Sequence, residues 1–166
     1  VDANCGWSAD ETIRNSTALK ELDVEFIEQP LPAGRWDEQR RVYAESALPV
    51  FADESCIVPT DVSKCAGFFH GINIKLVKCG GLTPALTMLE TARRLQLKVM
   101  TGCMLESSLL ISAGAIVAQK ADWVDLDGSW LLAEDPFQGP VFECGVLTPI
   151  SNPGLGVALR DKPDIL

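Results

Sequence analysis

Lys75 interrupts the largely apolar run Ile72-Asn73-Ile74-Lys75-Leu76-Val77-Lys78-Cys79-Gly80-Gly81. In an extended chain alternate side chains share a face. Asn73, Lys75 and Val77 are therefore expected on one side and Ile72, Ile74 and Leu76 on the other, with Lys78 turned away as a loop residue. An ammonium buried in such a strand is costly unless it is paired, neutralised or used. Acids that could answer it stand at Asp2, Glu28 and Asp53, each at the end of an apolar segment. If those segments are neighbouring parallel strands, the three carboxylates line one rim and repel one another. An oxygen-bound divalent cation relieves the repulsion, and Mg²⁺ suits a few carboxylates with positions left for water and substrate. A lysine beside that cation forms a unit for removing a proton from carbon next to a carboxylate. The cation stabilises the enediolate, and the amine, its pKa lowered by cation and burial, is the base.

The elements that must position these groups alternate regularly. Helices are expected over residues 9–21, 36–46, 60–66, 83–95 and 106–120, with Ser8 capping the first and Thr83 the fourth. Between them lie strands over 24–29, 49–55, 72–77, 98–102 and 122–128. The strand-end polar residues Asp2, Glu28, Asp53, Lys75, Thr101 and Asp125 recur every 22 to 26 residues. Strand and helix in strict alternation means a parallel sheet with right-handed crossovers, either doubly wound or closed as a (β/α)8 barrel. No Gly-x-Gly-x-x-Gly or P-loop follows a strand, which disfavours a dinucleotide or nucleotide fold. Polar groups at the carboxyl ends of strands fit the face on which barrel enzymes build their sites.

Composition narrows the classes further. The chain of 166 residues is 47% hydrophobic and carries a net charge of -9, with no basic stripe for nucleic acid or an anionic membrane. The longest apolar run, residues 109–118, is about half of the roughly 20 residues a membrane span needs and reads as a buried helix. Six cysteines without a C-x-x-C pair, and a lone His70, lack zinc-like spacing; they are expected to be reduced thiols of a cytoplasmic protein, mostly small buried hydrophobes. Cys103 stands out for its neighbours.

Taken in order, Asp2-Ala3-Asn4, Glu28-Gln29-Pro30, Asp53-Glu54-Ser55, Asn73-Ile74-Lys75 with Gly80-Gly81, the stretch from Gly102-Cys103-Met104 to Glu106-Ser107-Ser108, and Asp125-Leu126-Asp127-Gly128 resemble the enolase superfamily. Within its muconate-lactonising-enzyme-like subgroup the pattern is most similar to the dipeptide epimerases of the L-Ala-D/L-Glu type. Such sites are known for a Lys or His base working with Mg²⁺. The resemblance implies that Asp2, Glu28 and Asp53 bind Mg²⁺ and that Lys75 is one of two acid-base lysines. It implies that Asp125 and Asp127 receive the α-ammonium of a dipeptide, a role their spacing of two on a strand also supports. Asn4 and Asn73 would support the site by hydrogen bonds. Glu106 would lie near it, or be a plain acid at a helix start.

The family's capping domain and its first two barrel strands, with a Lys-x-Lys motif, have no counterpart in the sequence. The expectation is therefore a carboxyl-terminal portion: residues 1–128 as about six βα units of a partial (β/α)8 barrel, from its third strand to its eighth, inactive alone. Residues 129–166 are expected as a Gly/Pro-rich tail packing on the barrel or on the capping domain, with short strands around 141–148 and 156–159. A homo-oligomer is expected for the full-length form. An o-succinylbenzoate synthase or N-acylamino acid racemase relative is the alternative, disfavoured by the paired aspartates, and a non-catalytic metal-binding fragment is the other.

Overall fold

The computed structural model describes residues 1–150 and 153–160; residues 151–152 and 161–166 of the expected tail lie outside the described residues. Ser8 starts helix α1 (Ala9–Glu21) through a reciprocal cap, its Oγ accepting from the Glu11 N–H while Glu11 Oε2 accepts from the Ser8 N–H. There follow β1 (Ile27–Glu28), α2 (Trp36–Glu45), β2 (Val50–Ala52), α3 (Pro59–Cys65), β3 (Gly71–Lys75), α4 (Leu76–Cys79), α5 (Leu82–Arg94), β4 (Lys98–Gly102), α6 (Ser108–Ala118) and β5 (Trp123–Val124). The strands are shorter than the apolar runs predict. β1 stops because Gln29 turns to φ 32, and β3 stops at Lys75 because the backbone coils into α4. Thr83 is not a cap: α5 begins at Leu82, directly after Gly81 at φ 114. α6 starts two residues later than expected, since Glu106 folds back to accept the Met104 N–H.

All pairings in the main sheet are parallel and the strand order β1-β2-β3-β4-β5 follows the chain. That order belongs to a barrel, whereas a doubly wound sheet reverses direction at its middle. Residues at the amino end add a sixth position beside β1, with Asp2 bridged in parallel to Glu28. The sheet is also curled. Four strand spacings would hold β1 and β5 about 19 Å apart if flat, yet the Phe26 and Trp123 rings lie 5.3 Å apart and Trp123 Nε1 donates to Glu25 at 2.7 Å. The sheet is a curled half-barrel.

Its two faces have different contents. Ile27, Val50, Ala52, Ile72, Ile74 and Val99 face the helices and form the core with Val42, Val62, Ala85, Met88 and Val117. Phe51 instead meets Phe26 and Trp123 inside the curl. Gly71 leaves room for the Phe51 ring there, since a Cβ would come within 2.4 Å of it. Beyond the sheet, β6 (Phe137–Gln138), β7 (Val141–Glu143), β8 (Val146–Thr148) and β9 (Ala158–Leu159) form two antiparallel pairs. Cys144 and Gly145, both at positive φ, turn the β7–β8 hairpin. The strand before this hairpin is tied to α6, because Asp135 accepts the Ser108 N–H at 2.7 Å. No helix among the described residues is long and apolar enough to cross a membrane.

His70 sets a pH limit at the opposite end of the strands. It stacks on Tyr43, and its Nδ1 accepts the Val50 N–H at 3.1 Å. Burial lowers its pKa. The unfolded chain therefore binds the proton first, and the stability contributed by neutral His70 is present above the unfolded value of about 6.5 and lost as pH falls below it. In urea titrations the wild-type midpoint is expected to fall more than that of His70→Gln between pH 7.5 and 5.5. Parallel curves would show that His70 contributes nothing to the pH dependence.

Candidate active site

Period-two alternation carries polar side chains up the inside of the curl. Glu28 follows Phe26, Asp53 follows Phe51, Asn73 and Lys75 follow Gly71, and Asp125 follows Trp123. Thr101 is the exception: it pairs in register with Ile74 and shares its helix-facing side, so Gly102 stands beside Lys75 instead.

Asp53 is the centre of the cluster. It is buried, its Oδ2 lies 2.6 Å from Lys75 Nζ, and its Oδ1 lies 2.6 Å from Lys78 Nζ. Lys75 also approaches Glu28 Oε1 at 3.8 Å, and Asn73 Nδ2 donates to the same oxygen at 2.7 Å. Burial raises the pKa of Glu28; the Asn73 bond and the charge of Lys75 oppose the rise, and the charges of Asp2 and Asp53 add to it. For Lys75, burial works against the charge, but the Asp53 hydrogen bond and the charges of Asp53, Glu28 and Glu54 outweigh it and hold its pKa above the ordinary lysine value. Burial alone therefore does not lower it, because the surrounding carboxylates outweigh burial. Asp2 is exposed at the rim and accepts the Asn4 N–H at 2.8 Å. That contact is through the Asn4 backbone, not its amide side chain.

Lys78 corrects the sequence expectation. Its predicted position assumed that period two continued past Lys75. Because the chain becomes helical at Leu76, Lys78 is three residues along a turn from Lys75 and returns to the same carboxylate. Val77 for the same reason leaves the Lys75 face and is exposed. Gly80 at φ 97 closes that turn, its N–H and that of Gly81 both reaching the Leu76 carbonyl. The Gly-Gly pair was the signal for a helical turn ending there. Glu54 and Gln29 were missed as well: Glu54 accepts from Lys78 at 3.0 Å, and the Gln29 amide accepts the Asp53 N–H.

Across the rim, Asp125 and Asp127 lie beyond β5, which ends at Val124 where the sequence predicts a strand to 128, and among the described residues neither forms an ion pair. Burial and then the charge of Asp127 raise the pKa of Asp125, while Lys75 opposes them. Cys103 lies 4.0 Å from Asp127 Oδ1; burial first, then the charges of Asp125, Glu106 and Asp127, push its thiol up to about 11. It is a neutral neighbour rather than a thiolate. All six cysteines are free. Glu106 is buried, and burial raises its pKa against the Met104 bond and the field of Lys75.

The acids around Glu28 offer hard oxygen atoms, and the buried Asn73 Oδ1 has no partner among the described residues. Asp2 and Asp53 both act on Glu28 as like charges, which is the repulsion a hard cation relieves. The donor chemistry fits Mg²⁺. Among the described residues no three acid, thiol or imidazole groups chelate as they stand, and Lys75 and Lys78 occupy the oxygens of Asp53.

Residues 1–163 match the family described as enolase C-terminal domain-like. The chain belongs to this family. An L-Ala-D/L-amino acid epimerase of Flavobacterium johnsoniae is 52% identical over 159 residues, covering 96% of this chain and 47% of that protein. The substrate-liganded L-Ala-D/L-Glu epimerase from Bacillus subtilis superposes with a TM-score of 0.87 at 28% identity, over 94% of this chain and 46% of that one. A dipeptide epimerase from Cytophaga hutchinsonii, solved with Mg and the dipeptide D-Ala-L-Val, gives 0.85 at 27% identity over 97% and 46%. The chain spans about half the length of the relatives it matches. Relatives of this chain thus include epimerases and racemases, among them an N-acetyl-D-glutamate racemase of Pseudoalteromonas at 38% identity over 92% of this chain and 48% of that protein, and its half-barrel is the family's barrel domain in part.

Proposed function

We propose that these residues serve the epimerisation of dipeptides, with Lys75 removing or returning the α-proton on one face of the substrate. The observation that carries this reading is the placement of Lys75 between Asp53 and Glu28, with the Asp125 and Asp127 carboxylates, which form no ion pair among the described residues, across the rim. Asp2, Glu28 and Asp53 would hold Mg²⁺, which would supply positive charge for the substrate carboxylate as the α-proton leaves and would satisfy the acids that now hold Lys75 charged. Asn73 fixes the Glu28 carboxylate through its amide. Asp125 and Asp127 grip the α-ammonium of the dipeptide, and that grip orients its carboxy-terminal residue toward Lys75. Lys75 Nζ then takes the α-proton as the C–H bond breaks. Return of a proton from the opposite face needs a second acid-base group. Lys78 does not supply it, because it stands on the same carboxylate as Lys75.

The test is exchange of the α-hydrogen for deuterium in D₂O, followed by NMR on a dipeptide library with Mg²⁺. Exchange at the carboxy-terminal residue is expected; exchange of N-acyl amino acids in its place would overturn the reading. Asp127→Asn is expected to raise the dipeptide KM by about tenfold, the worth of one charge-assisted hydrogen bond, without altering Mg²⁺ affinity. Equal loss of both would remove Asp127 from the substrate site.

A further inference from the structure

Two ammonium groups divide the oxygens of Asp53 between them, and they are not equivalent. Lys75 bonds Oδ2 and leans toward Glu28, so Oδ2 is the oxygen that faces the other acids. Lys78 bonds Oδ1 and has a second anchor outside the group, Glu54 Oε1 at 3.0 Å. Its backbone is fixed by the one-turn helix α4 and the Gly80–Gly81 closure. The Asp53 N–H is fixed in turn by Gln29. The Lys78–Oδ1 contact is thus held at both ends, whereas Lys75 has only the oxygens of the acids themselves.

We infer that Lys78 is a positioning residue that confines Asp53 to a single ligating oxygen and so makes the site prefer Mg²⁺ to Ca²⁺. This rests on the proposed Mg²⁺ reading of Asp2, Glu28 and Asp53. Ca²⁺ takes six to eight oxygens and accepts carboxylates through both atoms, whereas Mg²⁺ holds six ligands in a tight octahedron and is content with one oxygen per carboxylate. With Oδ1 committed to Lys78, the second oxygen that would help Ca²⁺ is withheld. Lys78 also repels any cation nearby. That repulsion acts on both ions alike, since both carry two charges, and it cancels in the ratio of their affinities.

Isothermal titration of the purified protein with Mg²⁺ alone and with Ca²⁺ alone separates the two effects. In the wild type Mg²⁺ binds more tightly. In Lys78→Met the Kd ratio of Ca²⁺ to Mg²⁺ is expected to fall about tenfold, the value of one added oxygen contact, and Lys78→Arg, which keeps a donor on Oδ1, is expected to restore it. Thermal unfolding followed by circular dichroism checks that each variant folds. Should Lys78→Met fail to fold, Glu54→Gln loosens the second anchor without touching Asp53 and is expected to lower the ratio in the same direction. If both affinities change by the same factor, Lys78 is a counter-charge and the inference is wrong. If the wild type binds neither ion, the Mg²⁺ reading fails and takes this inference with it.

Discussion

Lys75→Met is expected to lower α-hydrogen exchange on the order of a thousandfold, the size of a lost general base, while the KM for the dipeptide stays within a few-fold. The separation follows from where the side chain sits. Lys75 touches Asp53 and approaches Glu28, whereas the proposed ammonium grip is formed by Asp125 and Asp127, in the segment that follows β5. Loss of the ammonium also uncovers Asp53 Oδ2, so exchange alone does not distinguish a missing base from a disturbed carboxylate. Lys75→Arg makes the distinction. Guanidinium keeps a cation and a donor on Asp53, yet its pKa above 12 prevents it from cycling a proton near neutrality. Exchange by Lys75→Arg is expected to be as low as by Lys75→Met. Recovery to within about tenfold of wild type would reduce Lys75 to a charge that organises the acids, because a general base contributes more than that.

What the sequence could tell about this site depended on whether the backbone kept one period. Glu28, Asn73 and Lys75 sit on strands and Asp125 directly follows one, so alternation puts them on one face, and chain order puts those strands in sequence across the sheet. Lys78 lay three residues beyond Lys75, across a change from period two to a helical turn that alternation does not register. The curl was equally hidden. It depends on Phe26, Phe51 and Trp123, which are far apart in the chain and ordinary as sequence, meeting inside the sheet. Burial alone does not decide the state of Lys75, because the Asp53 contact at 2.6 Å holds its pKa up against it. Single residues thus revealed their face, but not the balance of forces among partners brought together by folding.

Gln29→Ala is expected to destabilise the fold by about 3 kcal/mol, because it strands buried groups that have no other partner among the described residues. The residue is 1% exposed and its amide is fully used. Nε2 donates to the Leu31 carbonyl at 2.7 Å and to Ser55 Oγ at 3.0 Å, while Oε1 accepts the N–H groups of Asp53 at 2.9 Å and Ser55 at 3.1 Å. Truncation leaves the Asp53 N–H and the Leu31 carbonyl inside without hydrogen bonds. For a chain of this size the loss corresponds to a Tm lower by about 10 °C. Gln29→Glu keeps both acceptor contacts but loses both donors and places a second anion beside Asp53, so it is expected to be no better. The effect reaches function through Asp53. Its backbone N–H is the attachment that sets where the carboxylate points, so Gln29→Ala is expected to weaken Mg²⁺ binding in titrations run well below the variant's Tm. A Tm within about 2 °C of wild type, less than 1 kcal/mol on this scale, would mean that water or a small backbone rotation satisfies those groups. Unchanged Mg²⁺ affinity in a destabilised variant would separate the two roles, leaving Gln29 as a bolt of the fold with no part in aiming Asp53.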